Sequence, residues 1–105
     1  MKEYKVTITP EALEDFNRYL SYVLFVLKSE QAFDAVLDDY YKTIDQLTRV
    51  AGSIKVSEKP ELAERGLREM YFQRHDYVML YWMDGDEAVV VYIFHTLEDY
   101  QNKIQ

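Results

Sequence analysis

Leu67-Arg-Glu-Met-Tyr-Phe72, Tyr77-Val-Met-Leu-Tyr-Trp-Met83 and Glu87-Ala-Val-Val-Val-Tyr-Ile-Phe-His95 are three successive runs dense in aromatic and β-branched residues. Such residues fit a pleated, half-buried surface, and runs of this length bounded by polar turn residues read as strands. Arg74-His75-Asp76 makes the first connection and Asp84-Gly85 the second, an Asp-Gly pair being a strong hairpin signal. An up-and-down meander is the expectation. Its last strand is apolar at every position from Ala88 to Phe94, which leaves no face for water and places it centrally in the sheet.

N-terminal to the meander the period changes. Tyr4, Val6 and Ile8 alternate with Lys5, Thr7 and Thr9, the pattern of one more half-buried strand. Thr9-Pro10-Glu11 then reads as a helix start, with a hydroxyl at the N-cap, Pro at the first helical position and an acid near the positive dipole end. Leu13, Phe16, Leu20, Val23, Leu24 and Leu27 form one apolar face, and the helix is expected to end near Lys28. Ser29 can cap a second helix bearing Phe33, Val36, Leu37, Tyr40, Ile44 and Leu47, closed at Gly52 as a left-handed residue. Residues 52–66 show no strong period and read as a loop with a short helical turn. Thr96-Leu-Glu-Asp99 has the form of a capping box opening a terminal helix, with Asp99 in a capping role. The expected order is β-α-α-β-β-β-α: an α+β domain spanning residues 1–105, with a largely antiparallel sheet and a helical hairpin packed on one face.

Composition narrows the chemistry. The chain has 105 residues, 49% of them hydrophobic, enough for one core without covalent staples. There is no cysteine, which excludes disulfides, thiolate metal sites and thiol catalysis; with two His, no metal site and no cofactor are expected. No apolar run, Tyr22 to Leu27 included, approaches the ~20 residues of a membrane span. Met1-Lys-Glu-Tyr-Lys5 lacks the apolar region of a secretory signal, so a cytoplasmic location is the expectation. Net charge is −7, and neither the first 64 residues nor the remainder is basic. Phosphate neutralisation supplies most nucleic-acid affinity, so this balance weighs against a freely acting nucleic-acid binder.

Several local features in this order resemble the RelE/ParE superfamily of bacterial toxins. Val6-Thr-Ile-Thr-Pro-Glu-Ala12 resembles its first strand and helix start, and Gly66-Leu-Arg68 the Gly-x-Arg that often begins its second strand. Asp76-Tyr-Val-Met-Leu-Tyr81 with Asp84-Gly-Asp86 resembles its central hairpin, and Val90-Val-Tyr-Ile-Phe-His95 with Asp99-Tyr100 its closing strand and tail. The resemblance implies the toxin of a type II toxin–antitoxin pair, held inactive by a cognate antitoxin. Growth inhibition would follow from ribosome-dependent mRNA cleavage or a related translation block. Alternatives are inhibition of DNA gyrase by protein binding, or a non-toxic interaction module on the same fold. Two departures stand out: Val78 and Thr96-Leu-Glu-Asp99 occupy places where many members carry cations.

Metal-independent RNA cleavage needs a base for the 2′-hydroxyl, an acid for the leaving oxygen and a cation for the phosphorane charge. The candidates are Arg68, Arg74, His75 and His95, with Tyr77, Tyr81 and Tyr100 as substrate contacts. The first connection and the end of the last strand share one end of the meander, so Arg74, His75, His95 and Tyr100 could converge there. Arg68 lies about 20 Å along the strand from Arg74 at ~3.3 Å per residue. Each has a plainer role: turn polarity for Arg74 and His75, a carbonyl bond or helix cap for His95, an ion pair for Arg68, packing for Tyr100. Tyr22, Phe25 and Val26 lie in a run that is apolar all round the helix. They are read either as covered by the second helix or as a contact surface for an antitoxin or a second copy of the chain. The acids Glu11, Glu14, Asp15, Asp34, Asp38, Asp39 and Asp45 read as solvated helix faces that attract a basic partner.

Overall fold

A computed structural model describes residues 3–104; Met1 and Lys2, part of the N-terminal stretch read above, and Gln105 lie outside the described residues. Strand β1 (Lys5–Ile8) leads into helix α1 (Pro10–Ser21), a π-helical turn (Tyr22–Val26) and helix α2 (Glu30–Val50). A short helix α3 (Pro60–Ala63) precedes the meander β2 (Arg68–Tyr71), β3 (Tyr77–Asp84) and β4 (Glu87–His95), and a single 3-10 turn (Tyr100–Asn102) follows. The sheet order is β1-β4-β3-β2, with β1 parallel to β4 and the other pairs antiparallel. β4 is central, as its doubly apolar sequence requires.

The starts of both helices follow the sequence reading. Thr9 Oγ1 accepts from the Ala12 N–H at 3.2 Å with Pro10 behind it, and Ser29 Oγ accepts from the Ala32 N–H at 3.0 Å. Gly85 at φ +60° opens the β3–β4 turn, a conformation that glycine adopts without strain.

The ends differ from the expectation. Gly52 is not left-handed; among the described residues, those at positive φ are Lys28, Gly66 and Gly85. The reason for a glycine at 52 is steric: a Cβ there would lie 2.4 Å from the Tyr4 hydroxyl. Nor does the box at residues 96–99 form. The Thr96 hydroxyl donates to the Asp76 carbonyl, and the terminal turn starts after Asp99 with no side-chain cap.

The first helix also leaves its expected track. The Leu27 N–H bonds the Tyr22 carbonyl, five residues back, so the turn is wider than an α-helical one. The widening keeps Val23 buried but rotates its neighbours outward. Lys28 at φ +54° then reverses the chain into Ser29. Leu13 and Leu27, read as core, are exposed, and Ala12 is buried in place of Leu13.

Two cores flank the sheet. The larger packs Phe16, Tyr40 and Leu47 of the helices on Phe72, Tyr77, Met79, Tyr81 and Ile93. Phe16 and Tyr40 stack at 4.4 Å between ring centroids. The smaller lies on the opposite face, where Leu62, Leu67 and Tyr100 cover Val78, Leu80 and Phe94. A register shift between Leu80 and Tyr81 switches the β4 residues that face the larger core from Ala88 and Val90 to Ile93. Among the described residues no helix is long and apolar enough to cross a membrane.

Candidate functional site

The β2–β3 turn is tied to the middle of α2 by one carboxylate. Asp39 is 2% exposed and accepts from the Gln73 N–H at 3.1 Å, the Arg74 N–H at 3.0 Å and His75 Nδ1 at 2.8 Å. Burial pushes this carboxyl upward, but the His75 bond and the two N–H bonds outweigh it and hold the group below its ordinary value. Asp39 is therefore not on a solvated face. An Asp–His pair can orient an imidazole for base chemistry. Here the same carboxylate also carries two turn amides, and the His75 ring is held on it. Arg74 is exposed at the turn and forms no ion pair among the described residues.

Arg68 sits at the other end of α2. By strand alternation it shares a face with Met70, beneath the helices, and its Nη1 donates to the carbonyls of Gly52 at 3.2 Å and Ile54 at 2.8 Å, with Ala51 at 3.5 Å. These oxygens lie where a helix end leaves its acceptors free and its dipole negative, so a guanidinium is well matched. The Tyr81 hydroxyl, fully buried, donates to the same Ala51 carbonyl at 2.8 Å, and burial raises the phenol to about 12. Asp39 and Ala51 are twelve residues apart on α2, about 18 Å at 1.5 Å per residue. Arg68 and His75 therefore serve separate contacts.

His95 pairs with Tyr77 across the sheet and meets its ring edge-on at 5.2 Å. Its Nδ1 accepts from the Leu97 N–H at 3.2 Å, which requires the proton on Nε2. Its own N–H donates to the Tyr19 hydroxyl at 3.2 Å, and that hydroxyl donates to Glu98. Thus His95 is committed to the turn that carries the chain off β4.

The opposite face holds a polar cluster with a different centre. Alternation in β2 turns Glu69 and Tyr71 away from the helices. The Glu69 carboxylate accepts from Tyr100 Oη at 2.5 Å, Ser57 Oγ at 2.7 Å, Lys59 Nζ at 2.8 Å and Tyr71 Oη at 2.9 Å. Burial alone would raise Glu69, yet the bonds from Lys59, Tyr100, Ser57 and Tyr71 bring it down to about 2. Lys59 is held above its ordinary value because its bonds to Glu69 and Tyr100 outweigh burial. Tyr100 is raised by burial and by Glu69. A base near 2 and a strengthened lysine charge are poorly poised for proton transfer at neutral pH. A carboxylate at the centre also repels phosphate. The cluster instead ties the 57–59 loop, β2 and the C-terminal segment together.

The four candidate catalytic residues thus do not gather in one place. Arg74 and His75 share a turn, His95 lies at the adjoining strand end, and Arg68 caps a helix. Tyr77 and Tyr81, read as substrate contacts, are 7% and 0% exposed in the larger core, which corrects that reading. Tyr100 is 4% exposed, stacked on Phe94 and bonded to Glu69. Asp39, Ser57, Lys59 and Glu69 were not picked out from the sequence. Asp39 could have been, because it falls in the stripe Val36, Asp39, Tyr40, Thr43, Leu47, where a carboxylate must find donors.

The hairpin tip is the other distinctive surface. Tyr22, Phe25, Val26 and Leu27 are 54%, 70%, 62% and 55% exposed. Tyr22, Phe25 and Val26 border a shallow groove of about 540 Å³ that continues along α1 past Ser21, Arg18 and Asn17 to Glu14. The second helix does not cover them.

Residues 6–100 match the family described as the ParE toxin of type II toxin-antitoxin system, parDE. A chain of the chromosomal ParDE toxin–antitoxin system from P. aeruginosa superposes with a TM-score of 0.71 at 19% identity, covering 89% of this chain and 96% of that one. A chain of the toxin–antitoxin complex RelBE2 from Mycobacterium tuberculosis gives 0.59 at 21% identity, covering 93% and 97%. These likenesses show a shared fold. No curated protein sequence matches significantly.

Proposed function

Because this chain belongs to the ParE toxin family of type II toxin–antitoxin systems, we propose that it arrests growth by binding a protein target, DNA gyrase, and not by cutting mRNA. One observation carries this reading: three of the four groups read as catalytic, Arg68, His75 and His95, are bonded within the fold, which leaves the exposed Arg74 without a convergent set. Arg68 serves the end of α2, His75 serves Asp39, and the centre of the face opposite the helices is a carboxylate. Phosphate chemistry calls for convergent cations and a free base. Inhibition by binding requires neither, and the net charge of −7 is then no obstacle. A cognate antitoxin is the second protein partner, consistent with the toxin–antitoxin complexes among its structural neighbours.

The test is conditional expression with and without the adjacent open reading frame, following DNA supercoiling, translation and RNA integrity separately. Growth arrest with lost supercoiling and intact mRNA is expected, reversed by the neighbouring gene. Site-specific mRNA cuts that vanish in Arg68→Ala, while the variant stays folded, would overturn the proposal. So would normal growth at high expression.

A further inference from the structure

We propose that Arg74 is the residue with which this chain grips a carboxylate of its protein target, and that Asp39 is the positioning residue that aims it. The inference rests on the reading of the chain as a toxin that acts by binding a protein, and it names one contact of that surface.

Each residue of the turn at 73–76 is tied to the fold. Gln73 is held twice by α2, its N–H on Asp39 at 3.1 Å and its Nε2 on Gln46 Oε1 at 2.9 Å. The His75 ring rests on Asp39, and the Asp76 carbonyl accepts from the Thr96 N–H at 2.7 Å. The Arg74 N–H is fixed on Asp39 at 3.0 Å. Its side chain is the exception. The guanidinium stands in solvent and, among the described residues, has no hydrogen-bond, ion-pair or ring partner; Asp76, two residues on, does not pair with it. The other arginines are placed differently. Arg18 and Arg49 pair with Asp15 and Asp45, Arg68 serves the end of α2, and Arg65 shares its cleft with Glu61 and Glu64.

Asp39 supplies the second observation. A carboxylate on the buried stripe of a helix is costly, and an apolar residue of similar size packs at least as well there. Its bonds run to Gln73, Arg74 and His75, so what this burial secures is the course of the turn. A guanidinium on a fixed backbone loses less freedom on binding than one on a mobile loop. Its planar fork matches a carboxylate at two points. A nucleic-acid backbone, by contrast, calls for several cations together, and this turn offers one on a chain of net charge −7.

The test titrates the purified chain into gyrase holoenzyme acting on relaxed plasmid with ATP, and reads the concentration that halves supercoiling. Arg74→Ala should raise that concentration at least ~10-fold, Arg74→Glu further, and Arg74→Lys by less, because the charge stays while the fork is lost. Thermal melts of the three variants should match the parent, since the guanidinium touches nothing in the fold. Asp39→Asn should weaken inhibition as well, and that loss should disappear in the Arg74→Ala background, which a purely structural role for Asp39 would not produce. Should Asp39→Asn fail to fold, the Arg74 series alone decides. Undiminished inhibition by Arg74→Glu would overturn the proposal and leave the gyrase reading intact. So would an Arg74→Ala variant that inhibits normally but binds a labelled RNA or DNA duplex more weakly and with a shallower salt dependence, the mark of a phosphate contact. Growth arrest without lost supercoiling, relieved by Arg74→Glu, would remove the gyrase reading and keep the contact. A chain that shows neither arrest nor inhibition removes both.

Discussion

The two ends of α2 are finished in opposite ways. At the C-terminal end, Arg68 and Tyr81 reach across from the sheet to the carbonyls of Ala51, Gly52 and Ile54 and close the helix. At the N-terminal end Ser29 caps the helix, but the turn before it throws Tyr22, Phe25, Val26 and Leu27 into solvent. Polar side chains consumed by the fold are poor evidence for catalysis. Apolar side chains that the fold leaves unused are better evidence for a partner. The contrast favours reading this chain as a protein binder.

Five changes would break or sharpen that contrast. Asp39→Ala, between the two ends, strands two turn amides and His75 and should cost about 3–5 kcal/mol in chemical denaturation. A loss under ~1 kcal/mol would mean the turn is held otherwise and that His75 is available for chemistry. Arg68→Ala should cost about 2 kcal/mol by freeing the carbonyls at the helix end. If it instead abolished growth arrest with unchanged stability, the C-terminal end of α2 would belong to the active surface.

The third concerns pH. The folded-state pKa of Glu69 is depressed to about 2 from an ordinary 4.5, so its contribution is fully present above 4.5 and is lost as pH falls through 2. Glu69→Gln should remove much of the acid sensitivity in that window, as measured by thermal melts from pH 5 to about 2. An unchanged acid profile would show that the cluster does not hold the C-terminal segment.

The smallest effects belong to the tip. Lys28→Gly relieves a left-handed lysine and should raise stability by up to about 1 kcal/mol, and Phe25→Ser should change it by less than ~0.5 kcal/mol. Phe25→Ser should nonetheless weaken growth arrest or its reversal by the antitoxin. A large loss of stability would make the tip part of the core and remove the contrast.

Much of this architecture was legible beforehand because it depends on short-range rules. Thr9-Pro10 and Ser29 mark helix starts by local hydrogen bonding, Asp84-Gly85 marks a turn by its φ, and the unbroken apolar run of β4 marks a buried strand. The candidate site was far less legible. Arg68, His75 and His95 are residue types suited to phosphate chemistry, but sequence does not say which carbonyl or carboxylate claims them. Gly52 had a local explanation, a left-handed cap, and the actual one is the ring of Tyr4, far away in the chain.

The order of elements, the central place of β4, the acidic balance and the family are therefore properties of the sequence alone, since periodicity, composition and turn chemistry act over a few residues. The fate of each polar side chain belongs to the tertiary structure. Asp39, Glu69 and Arg68 acquire their roles only when strands and helices distant in sequence meet. The same packing, by widening one helical turn, leaves Phe25 and its neighbours with nothing to cover them.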